Sequence, residues 1–200
     1  MKKYLLIISF FLCCLSCFAQ SISYQNFMKI VTDNHWASIN ETFTKLKFDL
    51  VGASTDSLTS EKVAYWTYNC KNTNLEGTFL SWVPAGEKYG IFEIHENANN
   101  KRWYSYAIYN DDIQYYSFLN KVKQSNFVFV DDFIQGKHII TRYKKQIQDS
   151  ENIEMFIFYS KPYFGSNITK YTIFYFQNVN VLKLPSITEM NADTFFDFLD

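Results

Sequence analysis

The sequence predicts an α+β fold in which helices pack on one face of antiparallel sheet meanders. Helical periodicity occurs at the start and in the middle of the chain, and runs of alternating pattern rich in aromatic and β-branched residues follow each helical stretch. Aromatic residues make up 20% of the chain, whereas its 200 residues include only 6 Gly and 3 Pro. A chain of this composition buries a core and does not remain disordered.

Residues 1–19 have the three regions of a bacterial export signal. Lys2 and Lys3 precede an uncharged apolar stretch over 4–15, and the small residues Cys17 and Ala19 lie on either side of Phe18. We therefore expect a signal peptide that is cleaved after Ala19 and a soluble protein that is periplasmic or secreted. The apolar stretch is shorter than the ~20 residues that cross a bilayer, so no membrane span is expected after cleavage.

Lipoprotein processing before Cys17 is the alternative, and it would make the protein a lipid-anchored component of the envelope. It is less favoured because Leu15 lies one position too close to Cys17 for a lipoprotein signal. Cleavage after Ala19 leaves Cys70 as the single cysteine, which excludes an internal disulfide. The formal net charge of −1 gives no reason to expect a nucleic-acid partner, which requires a basic surface.

Two helices are predicted at the start of the folded part. Phe27, Ile30 and Val31 share one helical face. Asn34 is the predicted cap of a second helix, whose apolar positions recur at helical spacing: Trp36, Ile39, Phe43 and Leu46. Residues 51–60 are rich in Gly, Ser, Thr and Asp and are predicted to form a loop.

The remaining elements are strands with one more helix between them. Period-two patterns predict strands over 62–70, 77–83, 89–96 and 102–109, and later over 127–133, 137–147, 153–160 and 170–178. A central helix is predicted over 111–125, since acidic residues begin it and apolar residues repeat every three positions: Ile113, Tyr116, Leu119 and Val122. Residues 191–200 are predicted to form a short helix.

This order suggests two tandem helix-plus-four-strand units over residues 20–110 and 111–200 that share one core. FTKLK over 43–47 resembles LNKVK over 119–123, and FDLV over 48–51 resembles FVFV over 127–130. The tandem helix-plus-meander plan resembles that of the small secreted inhibitor proteins of β-lactamases. That similarity lies in the order of elements alone, and a shared fold does not carry function.

No motif for catalysis or cofactor binding is present. The chain has no Gly-x-Ser-x-Gly or Ser-x-x-Lys sequence and no glycine-rich phosphate loop. Glu93 and His95 share one face of a strand, but a metal or acid–base site needs a further group. We therefore predict no catalytic residue, metal ligand or cofactor, and a small exported hydrolase or metal-dependent enzyme is the alternative.

Aromatic residues on both faces of two predicted strands give the positive indication of function. A sheet packed on one face alternates apolar with polar residues, but the strands over 102–109 and 171–176 do not. Either a second protein layer covers the other face or that face binds a protein or a glycan. The sequence thus predicts a non-catalytic binding or inhibitor-like module with these candidate binding residues: Trp103, Tyr104, Tyr106, Tyr171 and Tyr175.

Overall fold

A computed structural model of the protein describes residues 21–58, 60–69, 88–135, 138–148, 152–161 and 169–180. The export signal over 1–19, the strand predicted over 77–83, the helix predicted over 191–200 and the cysteines at 17 and 70 lie outside these residues.

The described residues form three helices and eight strands. The helices are α1 (Tyr24–Thr32), α2 (Trp36–Lys45) and α3 (Asp112–Lys123). The strands are β1 (Asp49–Thr55), β2 (Lys62–Tyr68), β3 (Tyr89–Glu96), β4 (Arg102–Tyr109), β5 (Val128–Gln135), β6 (His138–Gln146), β7 (Asn152–Lys161) and β8 (Lys170–Asn180).

All eight strands belong to one antiparallel sheet with the order β1-β2-β3-β4-β8-β7-β6-β5. Each half is a meander of four consecutive strands that follows a helix, and β4 pairs with β8 where the halves meet. The predicted α+β class, with helix-plus-meander units, is confirmed. Since the sheet is continuous across the junction, the division at residues 20–110 and 111–200 stays a prediction.

The prediction of a loop over residues 51–60 was wrong at its start, because β1 extends to Thr55. Gly52, Ala53 and Ser54 have low strand propensity, and pairing with β2 overrides it. The register shifts between Leu50 and Gly52, as expected of a β-bulge. A local composition that resembles a loop therefore marks an irregular edge strand.

The helices cover one face of the sheet, and aromatic side chains fill the layer between them. The Phe27 ring of α1 lies 5.5 Å from Phe92, 5.2 Å from Phe118 and 5.6 Å from Phe156, centroid to centroid. These partners belong to the first meander, α3 and the second meander. One core therefore joins both halves of the sheet, and Phe27 lies near its centre.

The start of α2 differs from the prediction by one residue. His35, not Asn34, occupies the N-cap position, and its side chain makes no capping hydrogen bond. The carboxylate of Asp33 instead accepts a hydrogen bond of 2.9 Å from the His35 backbone N–H. An Asx turn thus ends the link between α1 and α2.

The central helix is present, but its predicted buried face was half wrong. Ile113 is 79% exposed and Tyr116 is 53% exposed, whereas Leu119 and Val122 are buried as predicted. A residue every three positions drifts by about 60° per step around a helix of 3.6 residues per turn, so Ile113 and Val122 point in opposite directions. The face that docks on the sheet consists of these residues: Gln114, Tyr115, Phe118, Leu119 and Val122.

Candidate functional site

Four of the five predicted binding residues lie in the core. Tyr104, Tyr106 and Tyr175 are almost completely buried and Tyr171 is nearly so, all on the sheet face that the helices cover. Burial raises the pKa of Tyr104 to about 12 and raises the pKa of each of the other three further. In this conformation a partner does not reach these side chains.

Two of the tyrosines form hydrogen bonds from the sheet to α1, to α3 and to the segment before α1 through their hydroxyl groups. Tyr104 donates a hydrogen bond of 3.1 Å to the carbonyl of Val31 near the end of α1. The Tyr106 hydroxyl accepts from Gln114 Nε2 of α3 at 2.6 Å and from the Ile22 backbone N–H at 3.4 Å. They therefore have a structural role at the contact between helices and sheet.

Trp103 lies on the other face of the sheet, which we call the back face. Consecutive residues of a strand point to opposite faces, so Trp103 and Tyr104 cannot belong to one surface. The Trp103 side chain is half-buried and stacks on the His95 ring, with centroids 3.5 Å apart and planes at 12°. His95 and Trp103 are direct partners in the β3–β4 register.

A polar network surrounds this stacked pair. Nδ1 of His95 lies 3.0 Å from Glu61 Oε1, and Nε2 lies 3.2 Å from Glu93 Oε2. Glu93 also accepts a hydrogen bond of 2.9 Å from Ser105 Oγ. Burial, together with the charges of Glu93 and Glu61, raises the pKa of the nearby Tyr65 hydroxyl. We call these residues the Trp103 cluster: Glu61, Tyr65, Glu93, His95, Trp103 and Ser105.

The Trp103 cluster is arranged for hydrogen bonding and not for nucleophilic attack. Ser105 Oγ is buried and donates to Glu93, whereas an activated serine must contact its base, here His95. Both ring nitrogens of His95 already face carboxylates, and they can donate to both only when each carries a hydrogen. Within the described part of the chain, no three His, Cys, Asp or Glu side chains are placed to hold a metal ion.

A second surface lies at the free end of the second meander. The edge strand β5 pairs with β6, and no other described strand pairs with its outer side. Apolar side chains are exposed here: Phe129 by 52%, Ile134 by 76% and Ile139 by 49%. Ile134 and Ile139 are direct cross-strand partners, and Phe129 is the partner of Tyr143 on the same face. We call Phe129, Ile134 and Ile139 the apolar edge surface.

The opposite edge of the sheet provides an internal comparison. In β1, Leu50 pairs with Trp66 just before a bulge, and Thr55 pairs with Lys62 at the end of the strand. In β5, Phe129 pairs with Tyr143 just before a bulge, and Ile134 pairs with Ile139 at the matching position. Thr55 and Lys62 are exposed as well. The fold therefore does not require an apolar pair at the position of Ile134 and Ile139. An exposed apolar residue before the bulge occurs at both edges, as Leu50 in β1 and Phe129 in β5, so the contrast between the edges lies in the isoleucine pair.

The same comparison applies to the back face. The charged and hydroxyl side chains of the Glu93–Ser105 pair are replaced by an apolar pair in the second meander, and the His95–Trp103 pair is replaced by one without an ionisable imidazole or carboxylate, so the polar network is not a requirement of the fold either. The matching pairs are Glu93–Ser105 with Ile157–Phe174 and His95–Trp103 with Tyr159–Thr172.

Sequence reasoning named Glu93, His95 and Trp103 but missed the apolar edge surface. In the sequence, Gly followed by Lys is a dipeptide typical of a two-residue hairpin, and these two residues stand between the register partners Gln135 and His138. Counting outward from the dipeptide would have paired Ile134 with Ile139. Glu61 could not be found in this way, because it precedes β2 and reaches His95 through the fold.

Comparison with known proteins gives no relative: no protein family, curated protein or solved structure matches the chain. The described helices include none with the length and apolar character needed to cross a membrane.

Proposed function

We propose that the protein is an exported, non-catalytic binding module that takes a partner protein on the apolar edge surface. One observation carries this proposal. Ile134 and Ile139 expose a direct apolar pair on an edge strand, where the register-matched pair of the other edge is Thr55 and Lys62. Exposed apolar side chains on an unpaired edge favour association, and natural sheets usually block such edges.

The experiment tests whether this surface is covered when the protein is exported by the cells that produce it. A photoreactive amino acid is placed at position 134 and, in separate variants, at Ile113 and Thr55. Ile113 is as exposed as Ile134 but lies on α3, and Thr55 is the matching position of the other edge. We expect a discrete crosslinked adduct from position 134, and from position 129 of the same surface, but none from positions 113 and 55.

Exchange of the edge pair supplies the loss-of-binding control. The double variant Ile134→Thr/Ile139→Lys gives the β5 edge the same pair as the β1 edge. Its fold should be unaffected, since Ile134 is largely exposed, Ile139 is half-exposed, and the β1 edge forms with this pair. A photoreactive residue at Phe129 should lose its adduct in this background. Equal adducts from positions 134 and 113, or none from 134, would contradict the proposal.

A small hydrolase is the second candidate, and the hydrogen bonds of His95 are the observation in its favour. An acid–base residue must lie within hydrogen-bond reach of a partner, and His95 meets this requirement with Glu61 and Glu93. Ester and amide hydrolysis by the purified protein, lost in His95→Asn and retained in Ile113→Thr, would favour it. The missing contact between Ser105 and His95 makes binding the better-supported function.

A further inference from the structure

We infer that the occupant of the apolar edge surface is an extended segment of another protein, added to β5 as a further strand. This inference rests on the proposed function and specifies the chemistry of the partner. An edge strand offers a row of backbone N–H and C=O groups, and an added strand uses them while its alternate side chains meet those of the edge. Among the described strands, β5 lies at the end of the sheet and pairs only with β6, so the backbone groups on its outer side are available to such a strand.

The side chains on this face of β5 define a pattern for the incoming strand. Phe129, Asp132 and Ile134 share the face, because their partners on β6 are Tyr143, Thr141 and Ile139 and the bulge takes up one residue after Phe129. Asp132 is exposed between the two apolar residues. Residues that oppose each other across a sheet point to the same side. A strand that passes the bulge as β6 does, with one residue fewer than β5, therefore needs an apolar, a basic and an apolar residue at alternate positions.

The pattern is apolar-x-basic-x-apolar, and it reads the same in both directions. It therefore holds for a parallel or an antiparallel strand. The two flanking residues bury Phe129 and Ile134, and the central Lys or Arg faces the Asp132 carboxylate. Asp131 does not compete for this basic residue, because it lies on the back face with its carboxylate hydrogen-bonded to Arg142.

A second copy of this chain fits the edge poorly through β5. The sequence of β5, VFVDDFIQ, contains no basic residue, so a symmetric pairing of two β5 strands places no cation opposite Asp132. Acidic residues in the middle of an edge strand are also a known means of preventing self-association. Charge complementarity thus points to a different protein.

The test uses short fluorescent peptides with the pattern Val-x-Lys-x-Val and matched peptides with Glu in place of Lys, where x is Thr. Binding to the intact protein is followed by fluorescence anisotropy. We expect the Lys peptide to bind more tightly by on the order of fivefold, the effect of exchanging an opposite charge for a like charge across a sheet. The variant Asp132→Lys should reverse the preference, and Ile134→Thr/Ile139→Lys should abolish binding of both peptides.

The outcomes separate strand addition from the broader proposal. The inference is overturned if neither peptide binds at millimolar concentration, or if Asp132→Lys leaves the preference for the Lys peptide unchanged. In either case, an adduct from position 134 would still support a partner that binds in another way. A doubled mass in light scattering that returns to the monomer value in Ile134→Thr/Ile139→Lys shows a second copy as the occupant and also overturns it. An unchanged unfolding midpoint of Asp132→Lys confirms that the variant is folded.

Discussion

Truncation of Phe118 tests how α3 docks on the sheet. Phe118 is 2% exposed, and its ring lies 5.6 Å from Tyr24, 5.2 Å from Phe27, 5.9 Å from Phe156 and 6.2 Å from Phe158. Replacing it with Ala leaves a cavity bounded by rings from one helix and one strand, which cannot all move in to fill it. We expect a loss of about 3 to 5 kcal/mol in the free energy of unfolding, the usual cost of deleting a buried aromatic side chain.

The matched control is Ile113→Ala, five positions earlier on the same helix. Its side chain is largely exposed, so the loss should stay within about 0.5 kcal/mol. In a protein of this size, the Phe118→Ala loss corresponds to roughly 6 to 20 °C in the thermal midpoint.

Chemical denaturation gives the free energies of unfolding directly, and circular dichroism gives the thermal midpoints. If Phe118→Ala does not fold, Phe118→Leu removes less volume and should cost about 1 to 2 kcal/mol. Equal losses at positions 113 and 118, or a larger loss at 113, would refute the docking of α3 through this face.

Two further predictions concern charged groups. Burial raises the pKa of Glu96, but hydrogen bonds from Arg102 and Lys62 outweigh it and leave the pKa below the ordinary value of 4.5. Glu96→Gln should therefore lower the free energy of unfolding by about 2 to 3 kcal/mol at pH 7. The difference between the variant and the unchanged protein should disappear as the pH falls from about 4.5 through the lowered pKa of Glu96, because Glu96 then loses its charge. Denaturant titrations at several pH values would show this, and a difference independent of pH would contradict it. Asp131→Asn removes the carboxylate that pairs with the buried guanidinium of Arg142. We expect the free energy of unfolding to fall by about 3 kcal/mol, because the variant leaves a buried charge without its counter-ion. A loss below about 0.5 kcal/mol in the same denaturant titrations would mean that the two side chains behave as a surface ion pair.

The order of elements was predictable because periodicity is a property of the sequence itself. Six of the eight strands and all three helices of the described residues match predicted elements closely, and β5 matches with a shift at its ends. The strand β1 was missed because its second half, Gly52 to Thr55, consists of small or polar residues, and its conformation depends on pairing with β2. Local preference is a weak guide where tertiary pairing decides.

The sequence did not show on which face of the sheet each candidate binding residue lies relative to the helices, because consecutive residues of a strand point to opposite faces and the pattern does not tell which face is covered. Aromatic residues on both faces of β4 correctly indicated that neither face is a fully solvent-exposed polar surface. They did not show which face lies under the helices. Alternation places Tyr104 and Tyr106 together and Trp103 apart, so grouping all three mixed core residues with a back-face residue.

The register of the two meanders separates what the fold requires from what it permits. Core positions keep their character: Phe48 and Phe127 are both buried ahead of an edge strand, and Tyr106 and Tyr175 both pair with a core phenylalanine. Surface positions do not, since a Thr–Lys pair at one edge corresponds to an Ile–Ile pair at the other. A residue type that the fold demanded would occur in both halves. The exposed isoleucines occur in one half, so the fold alone does not account for them, and this contrast is the observation on which we base the proposal of a partner at the β5 edge.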